Sequence, residues 1–124
     1  MILIWINRNI GIDLCMDFHV DNKKTIFFKI TVQHGTDIIA RVYLYIIKND
    51  LHKEPYGLME DVFVEPEHRG KGIGKQLIAR VIEEAKKQGC YKLVAQSRHE
   101  KLEVHALYEK FGFRNHGINF RMDL

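Results

Sequence analysis

The stretch Val62-Phe-Val-Glu-Pro-Glu-His-Arg-Gly-Lys-Gly-Ile-Gly74 decides the reading of this chain. It opens with residues that favour a strand, breaks at Pro66, and places glycine at 70, 72 and 74 ahead of a segment with helical periodicity. Alternating glycines in such a loop let backbone N–H groups turn inward with no side chains in the way. The helix that follows adds its own unsatisfied N–H groups and its positive dipole end. Together they form an anion site suited to a pyrophosphate, with Arg69 and Lys71 or Lys75 supplying charge at its rim. Two familiar nucleotide loops are excluded. A Walker A loop needs glycine at position 69 and Ser or Thr at 76, where this chain has Arg69 and Gln76; a Rossmann fingerprint needs G-x-G-x-x-G, and these glycines are spaced two by two.

Downstream, apolar residues recur at Ile73, Leu77, Ile78, Val81, Ile82 and Ala85, one face of a helix that Gly89 ends. Tyr91–Ala95 reads as a strand, Leu102–Phe111 as a second helix closed by Gly112, and Phe113–Leu124 as one or two closing strands. Upstream, Thr25–Val32, Ile38–Ile47 and Gly57–Val64 are runs rich in β-branched and aromatic residues, separated by turn signals and joined as antiparallel hairpins. Met1–Ile6 reads as a further first strand. Strands followed by strand–helix–strand–helix–strand predict a mixed α+β domain with a mostly antiparallel sheet and flanking helices.

The 124 residues fit one domain, 1–124, with no repeat or linker to divide it. Hydrophobic residues at 46% and charged residues at 28% place it among ordinary globular chains. A net charge of +3 suits a polyanionic ligand such as a nucleotide, but Lys and Arg are interleaved with acids, which argues against nucleic acid as partner. Met1–Ile6 is too short for a signal segment or a membrane span, and Cys15 and Cys90 form no CxxC pair, so the expected compartment is the reducing cytoplasm. No metal is expected: His99-Glu100 begins like H-E-x-x-H, but position 103 is Glu103 and His105 is out of register.

The quoted stretch resembles the acyl-CoA-binding motif of the GCN5-related N-acetyltransferase (GNAT) family: a strand, a short Pro-containing turn, Q/R-x-x-G-x-G/A, then a helix. Leu107-Tyr-Glu-Lys-Phe-Gly-Phe113 is similar to the family's second signature, a helix carrying a tyrosine and ending in Gly-Phe. The resemblance implies a sheet whose central strands splay at a bulge, with the pantetheine arm of acetyl-CoA paired to the main chain of Val62, Phe63 and Val64. It implies that N–H groups from Arg69 through Gly70, Lys71, Gly72, Ile73, Gly74 and Lys75 hold the pyrophosphate. It also implies an enzyme that moves an acetyl group to a primary amine by direct attack in a ternary complex.

Such chemistry wants a base on the amine side and an acid beside the leaving sulfur. Tyr108 matches the position of the family's usual acid. Leu58-Met-Glu-Asp-Val-Phe-Val64 is similar to the diamine acetyltransferases, which implies Glu60 as a base acting through water; strand alternation puts Glu60 and Asp61 on opposite faces. The ordinary alternatives are a packed aromatic at 108 and a solvated or ion-paired acid at 60.

Two departures stand out. Where the family has Asn seven residues before the tyrosine, this chain has Lys101, with Ser97, His99 and His105 as candidate replacements. The region from Asn7 to Lys24 is also too short and too weakly periodic for the two helices that usually shape the acceptor side. These departures leave open a non-catalytic acyl-CoA-binding module, and an acetyltransferase of a protein or tRNA. The sequence does not name the acceptor; a homodimer paired through exposed strand edges is an expected assembly.

Overall fold

The computed structural model describes residues 16–124; the strand expected over Met1–Ile6, and Cys15, lie outside the described residues. Residues 16–25 carry no regular secondary structure. The first two runs of β-branched and aromatic residues form β1 (Ile26–His34) and β2 (Asp37–Ile47), an antiparallel hairpin whose turn uses Gly35 at φ 65°. β3 (Tyr56–Val64) pairs antiparallel with β2, and β4 (Leu93–Ala95) pairs parallel with β3. The sheet order is β1-β2-β3-β4.

A parallel pair needs a crossover, which α1 (Ile73–Lys87) supplies. Its apolar stripe places Leu77, Ile78, Val81 and Ala85 against Ala40, Val42 and Leu44 of β2 and Met59 of β3, and these eight residues form the buried core. Full burial of each larger aliphatic side chain contributes about 1.5–3 kcal/mol. Lys86 and Lys87 sit in the last turn, where cations complement the helix dipole, and Gly89 at φ 77° ends the helix. Gly57 is where sheet and helix come closest. A Cβ there would stand 2.9 Å from Leu93 Cδ1, 3.0 Å from Leu44 Cδ1 and 3.7 Å from Ala85 Cβ.

The mixed α+β architecture and mostly antiparallel sheet follow the sequence reading, with three differences. The strand expected over Tyr91–Ala95 shortens to Leu93–Ala95, because the Tyr91 amide bonds to Pro55 O outside the ladder. The second helix, α2 (Leu102–Lys110), stops one residue early, with Phe111 as its cap. The closing strands expected over Phe113–Leu124 are absent. Ile118, Phe120, Met122 and Leu124 alternate as strand residues do, yet all are exposed and none joins the described sheet. Alternation makes a strand only when one face has something to pack on and an edge to pair with.

Candidate active site

β3 has neighbours on both sides only as far as Met59. β2 accompanies it to Val64, whereas β4 pairs with Gly57, Leu58 and Met59 and then ends. From Glu60 to Val64, therefore, one main-chain edge of β3 has no partner strand among the described residues. The splay coincides with a bulge: Asp61 and Val62 of β3 occupy the register of Val42 alone on β2. Asp61 takes φ 55°, a left-handed conformation that Asp tolerates better than most residues. Glu60 lies opposite Tyr43 and is half-buried, while Asp61 is exposed. The splay and bulge that the sequence resemblance implied are thus present.

The gap opens into a cleft of about 500 Å³. One wall is Val62, Phe63 and Val64, continued by Arg69. Ser97 and Arg98, from the segment after β4, form the other wall with Lys101 and Val104 at the start of α2. His105 Nε2 lies 2.8 Å from Arg98 O, which fastens that segment to α2. Of the three candidates to replace the missing Asn contact, Ser97 lines the cleft, His105 braces its wall, and His99 does neither. Lys101 itself faces the cleft. Arg98 was not legible in the sequence, because its place depends on where β4 stops. Val104 was legible in principle, lying one helical turn before Tyr108 on the same face.

At one end of the cleft the chain turns through Pro66–His68, a short 3-10 helix, into the glycine loop. Arg69 does not simply project as a rim charge. Its Nε donates to Val64 O at 2.9 Å, and its guanidinium lies 5.6 Å from the Phe63 ring centre, so it ties the loop to the end of β3. The Arg69 amide, expected among the anion donors, bonds instead to Pro66 O at 3.3 Å. The amides of Gly70, Lys71, Gly72, Ile73, Gly74 and Lys75 have no acceptor among the described residues, and the first loop-to-helix bond is Gln76 N to Gly72 O. Gly70 and Gly72 both adopt φ 79°, and a Cβ on either would meet nothing within 4 Å. Conformation, not space, requires glycine there. Lys71 and Lys75 are exposed beside this row of donors.

Next to the lining residues along the chain are Glu60, two residues before Val62, and Tyr108, one helical turn beyond Val104. Burial raises the pKa of Glu60, and the charge of Asp61 raises it further. Burial likewise raises the pKa of Tyr108, with the Glu60 carboxylate adding to it. Tyr108 also packs on Phe113, ring centres 5.3 Å apart, and the Phe113 amide bonds to Tyr108 O. The two offer a carboxylate inclined to take a proton and a phenol kept protonated, close enough for the charge of one to act on the other. Among the described residues no three His, Cys, Asp or Glu side chains gather as a metal site, and no helix is long and apolar enough to cross a membrane.

Comparison with known proteins agrees with this geometry. The model of the Acetyltransferase (GNAT) family matches residues 7–113. A glucosamine 6-phosphate N-acetyltransferase of Trypanosoma brucei brucei is 44% identical over 68 residues, 55% of this chain and 44% of that protein. An aminoglycoside N(6')-acetyltransferase type 1 of Stenotrophomonas maltophilia is 33% identical over 78 residues, 61% of this chain and 51% of that one. The chain thus spans about half the length of these relatives. Among solved structures, an acetyltransferase of Trypanosoma brucei superposes with a TM-score of 0.68 at 34% identity, covering 81% of this chain and 69% of the other.

Proposed function

The chain belongs to the GNAT acetyltransferase family, and from that premise we propose that it transfers the acetyl group of acetyl-CoA to a small primary amine by direct attack in a ternary complex. The observation that carries the proposal is the cleft beside the splayed end of β3. The unpaired Val62–Val64 edge of β3 lines it, and along the chain that edge runs from Glu60, the proposed proton acceptor, to the loop whose amides are unsatisfied. The named activities of the relatives, on glucosamine 6-phosphate and on aminoglycosides, support a small amine as acceptor.

The residues present fit acetyl-CoA. The amides from Gly70 to Lys75 and the start of α1 receive the pyrophosphate, with Lys71 and Lys75 lending charge. The unpaired edge of β3 at Val62, Phe63 and Val64 takes the pantetheine arm as a further strand would be taken. That leaves the thioester near Glu60 and Tyr108. Glu60, directly or through a water, removes the proton from the attacking amine. As the nitrogen–carbon bond forms and the carbon–sulfur bond breaks, Tyr108 gives its phenolic proton to the departing thiolate. No metal takes part in this scheme. A cytoplasmic homodimer remains part of the proposal, supported by the exposed Ile26 and Phe27 on the outermost described strand.

The test is release of free CoA thiol from acetyl-CoA against a panel of amino sugars and their phosphates, amino acids, polyamines, aminoglycosides and peptides. Turnover with a small amine supports the proposal. Tight acetyl-CoA binding with no transfer to any acceptor would identify a non-catalytic acyl-CoA-binding module, and transfer to peptide or tRNA alone would identify a macromolecular acceptor.

A further inference from the structure

The sheet face that presents Glu60 carries two cations beside that one acid in its central rows, and neither cation has a carboxylate partner among the described residues. Residues directly opposite one another in adjacent strands share a face. Lys29, Tyr43 and Glu60 therefore form one row across β1, β2 and β3, and Thr31, Arg41 and Phe63 form the next. The contacts agree: Lys29 Nζ lies 5.9 Å from the centre of the Tyr43 ring, and the Arg41 guanidinium 4.7 Å from that of Phe63.

Arg41 is half-buried, yet no described residue accepts a hydrogen bond from it and no described carboxylate lies within 4 Å of it or of Lys29. A guanidinium stacked on an aromatic ring keeps its donor edges free for a planar or tetrahedral oxyanion. Phe63 also lines the cleft, so Arg41 stands on a ring that borders the proposed path of the pantetheine arm, one row from Glu60. Glu60 is the one acid of the two rows. A polycationic acceptor would meet two cations there for one carboxylate, whereas an amine bearing an anion would meet a partner for each end. Rows two residues apart along a strand are separated by about 7 Å, the span of a sugar-sized molecule.

We infer that the acceptor is a small primary amine that also carries an anionic group, a phosphate ester above all, with the amine directed to Glu60 and the anion held by Arg41 and Lys29. This rests on the acetyl transfer proposed above and narrows its acceptor.

The experiment uses matched amines and phosphate esters: ethanolamine with O-phosphoethanolamine, and glucosamine with its 6-phosphate. β-Alanine tests a carboxylate in place of the phosphate, and spermidine represents polycations. In CoA-thiol release, at least one phosphorylated member is expected to exceed its neutral partner about tenfold or more in kcat/KM, and spermidine to be poor. Arg41→Gln is expected to erase that preference by raising KM for the phosphorylated amine far more than for its neutral partner. Lys29→Glu, at an exposed position that tolerates change, is expected to shift the same ratio in the same direction should Arg41→Gln fold poorly. β-Alanine equal to the best phosphate ester would assign the anion site to carboxylates. Preference for neutral or polycationic amines, or an Arg41→Gln effect equal on both members of a pair, overturns the inference while leaving acetyl transfer standing. Acetyl-CoA binding without turnover of any amine removes both.

Discussion

Glu60 on β3 and Tyr108 on α2 are electrostatically coupled: burial raises the pKa of the phenol, and the Glu60 carboxylate raises it further. A tyrosine held protonated well into the alkaline range is a poor base but remains a competent acid for a thiolate leaving group. Nothing in the two local sequences announces the pairing. Glu60 and Tyr108 lie 48 residues apart in sequence, and only the fold brings them within electrostatic reach.

Removing the Tyr108 hydroxyl removes that acid and little packing, because the ring contact with Phe113 survives in phenylalanine. Tyr108→Phe is expected to lower kcat by about 100-fold or more, with the KM for acetyl-CoA changed far less. Steady-state kinetics at saturating acceptor measure this. Full turnover in the variant would return Tyr108 to a purely packing role.

Glu60 makes two separable predictions about pH. A base must be ionised to act, so kcat/KM is expected to fall on the acid side along a limb lying above the ordinary carboxylate value. Glu60→Gln should lose that limb and most of its rate. The stability consequence has the opposite sense. With the folded pKa raised by burial and by Asp61, the stabilising contribution is complete below the unfolded value of 4.5 and is lost as pH rises through the folded value. Glu60→Gln, which never ionises, is therefore expected to melt above the parent near neutral pH. The difference should close below about pH 4.5. Melting curves of both proteins across pH test it, and an unchanged difference would show that Glu60 is ordinary solvated surface.

The glycine loop separates conformation from space. At Gly72 a Cβ meets nothing, but φ 79° is costly for any residue with one, by about 1–2 kcal/mol. Gly72→Ala is expected to relax the loop, misalign its amides and raise the KM for acetyl-CoA several-fold, with kcat at saturation largely kept. An unchanged KM would mean that the amides of this loop do not hold the cosubstrate.

What the sequence disclosed follows the range of the forces involved. The loop from Arg69 to Lys75, the stripe of α1 and the three long strands are local patterns, and each was legible. The bulge at Asp61 was available only through resemblance, because a left-handed aspartate has no signature of its own. Arg98 enters the cleft because β4 ends after Ala95, a matter of pairing partners rather than of residues 91–98 themselves. The tail misled for the same reason. Ile118, Phe120, Met122 and Leu124 have strand periodicity, but all four are exposed and none pairs with the described sheet. Arg69 carried a charge read as a rim contact, whereas the 2.9 Å bond to Val64 O makes it the tie between loop and strand.

Gly57 tests the scaffold apart from the chemistry. It lies where β3 is paired on both sides and α1 packs closest, so an added methyl would press on Leu93 and Leu44, with Ala85 behind. Both leucine methyls end side chains that can shift, which keeps the variant foldable. The core they occupy is already filled by Leu44, Met59 and α1, so the shift is not free. Gly57→Ala is expected to cost about 1–3 kcal/mol, read as a lower midpoint in denaturant at unchanged slope. Because Leu93 is the first residue of β4, the same push should loosen the short parallel pair and not the loop. Hydrogen exchange is therefore expected to quicken at Leu93–Ala95 before it does in β1 or β2, while the KM for acetyl-CoA stays near that of the parent. Stability equal to the parent would show that the sheet and α1 have slack at this crossing, and that the splay beyond Met59 is set by the bulge at Asp61 alone.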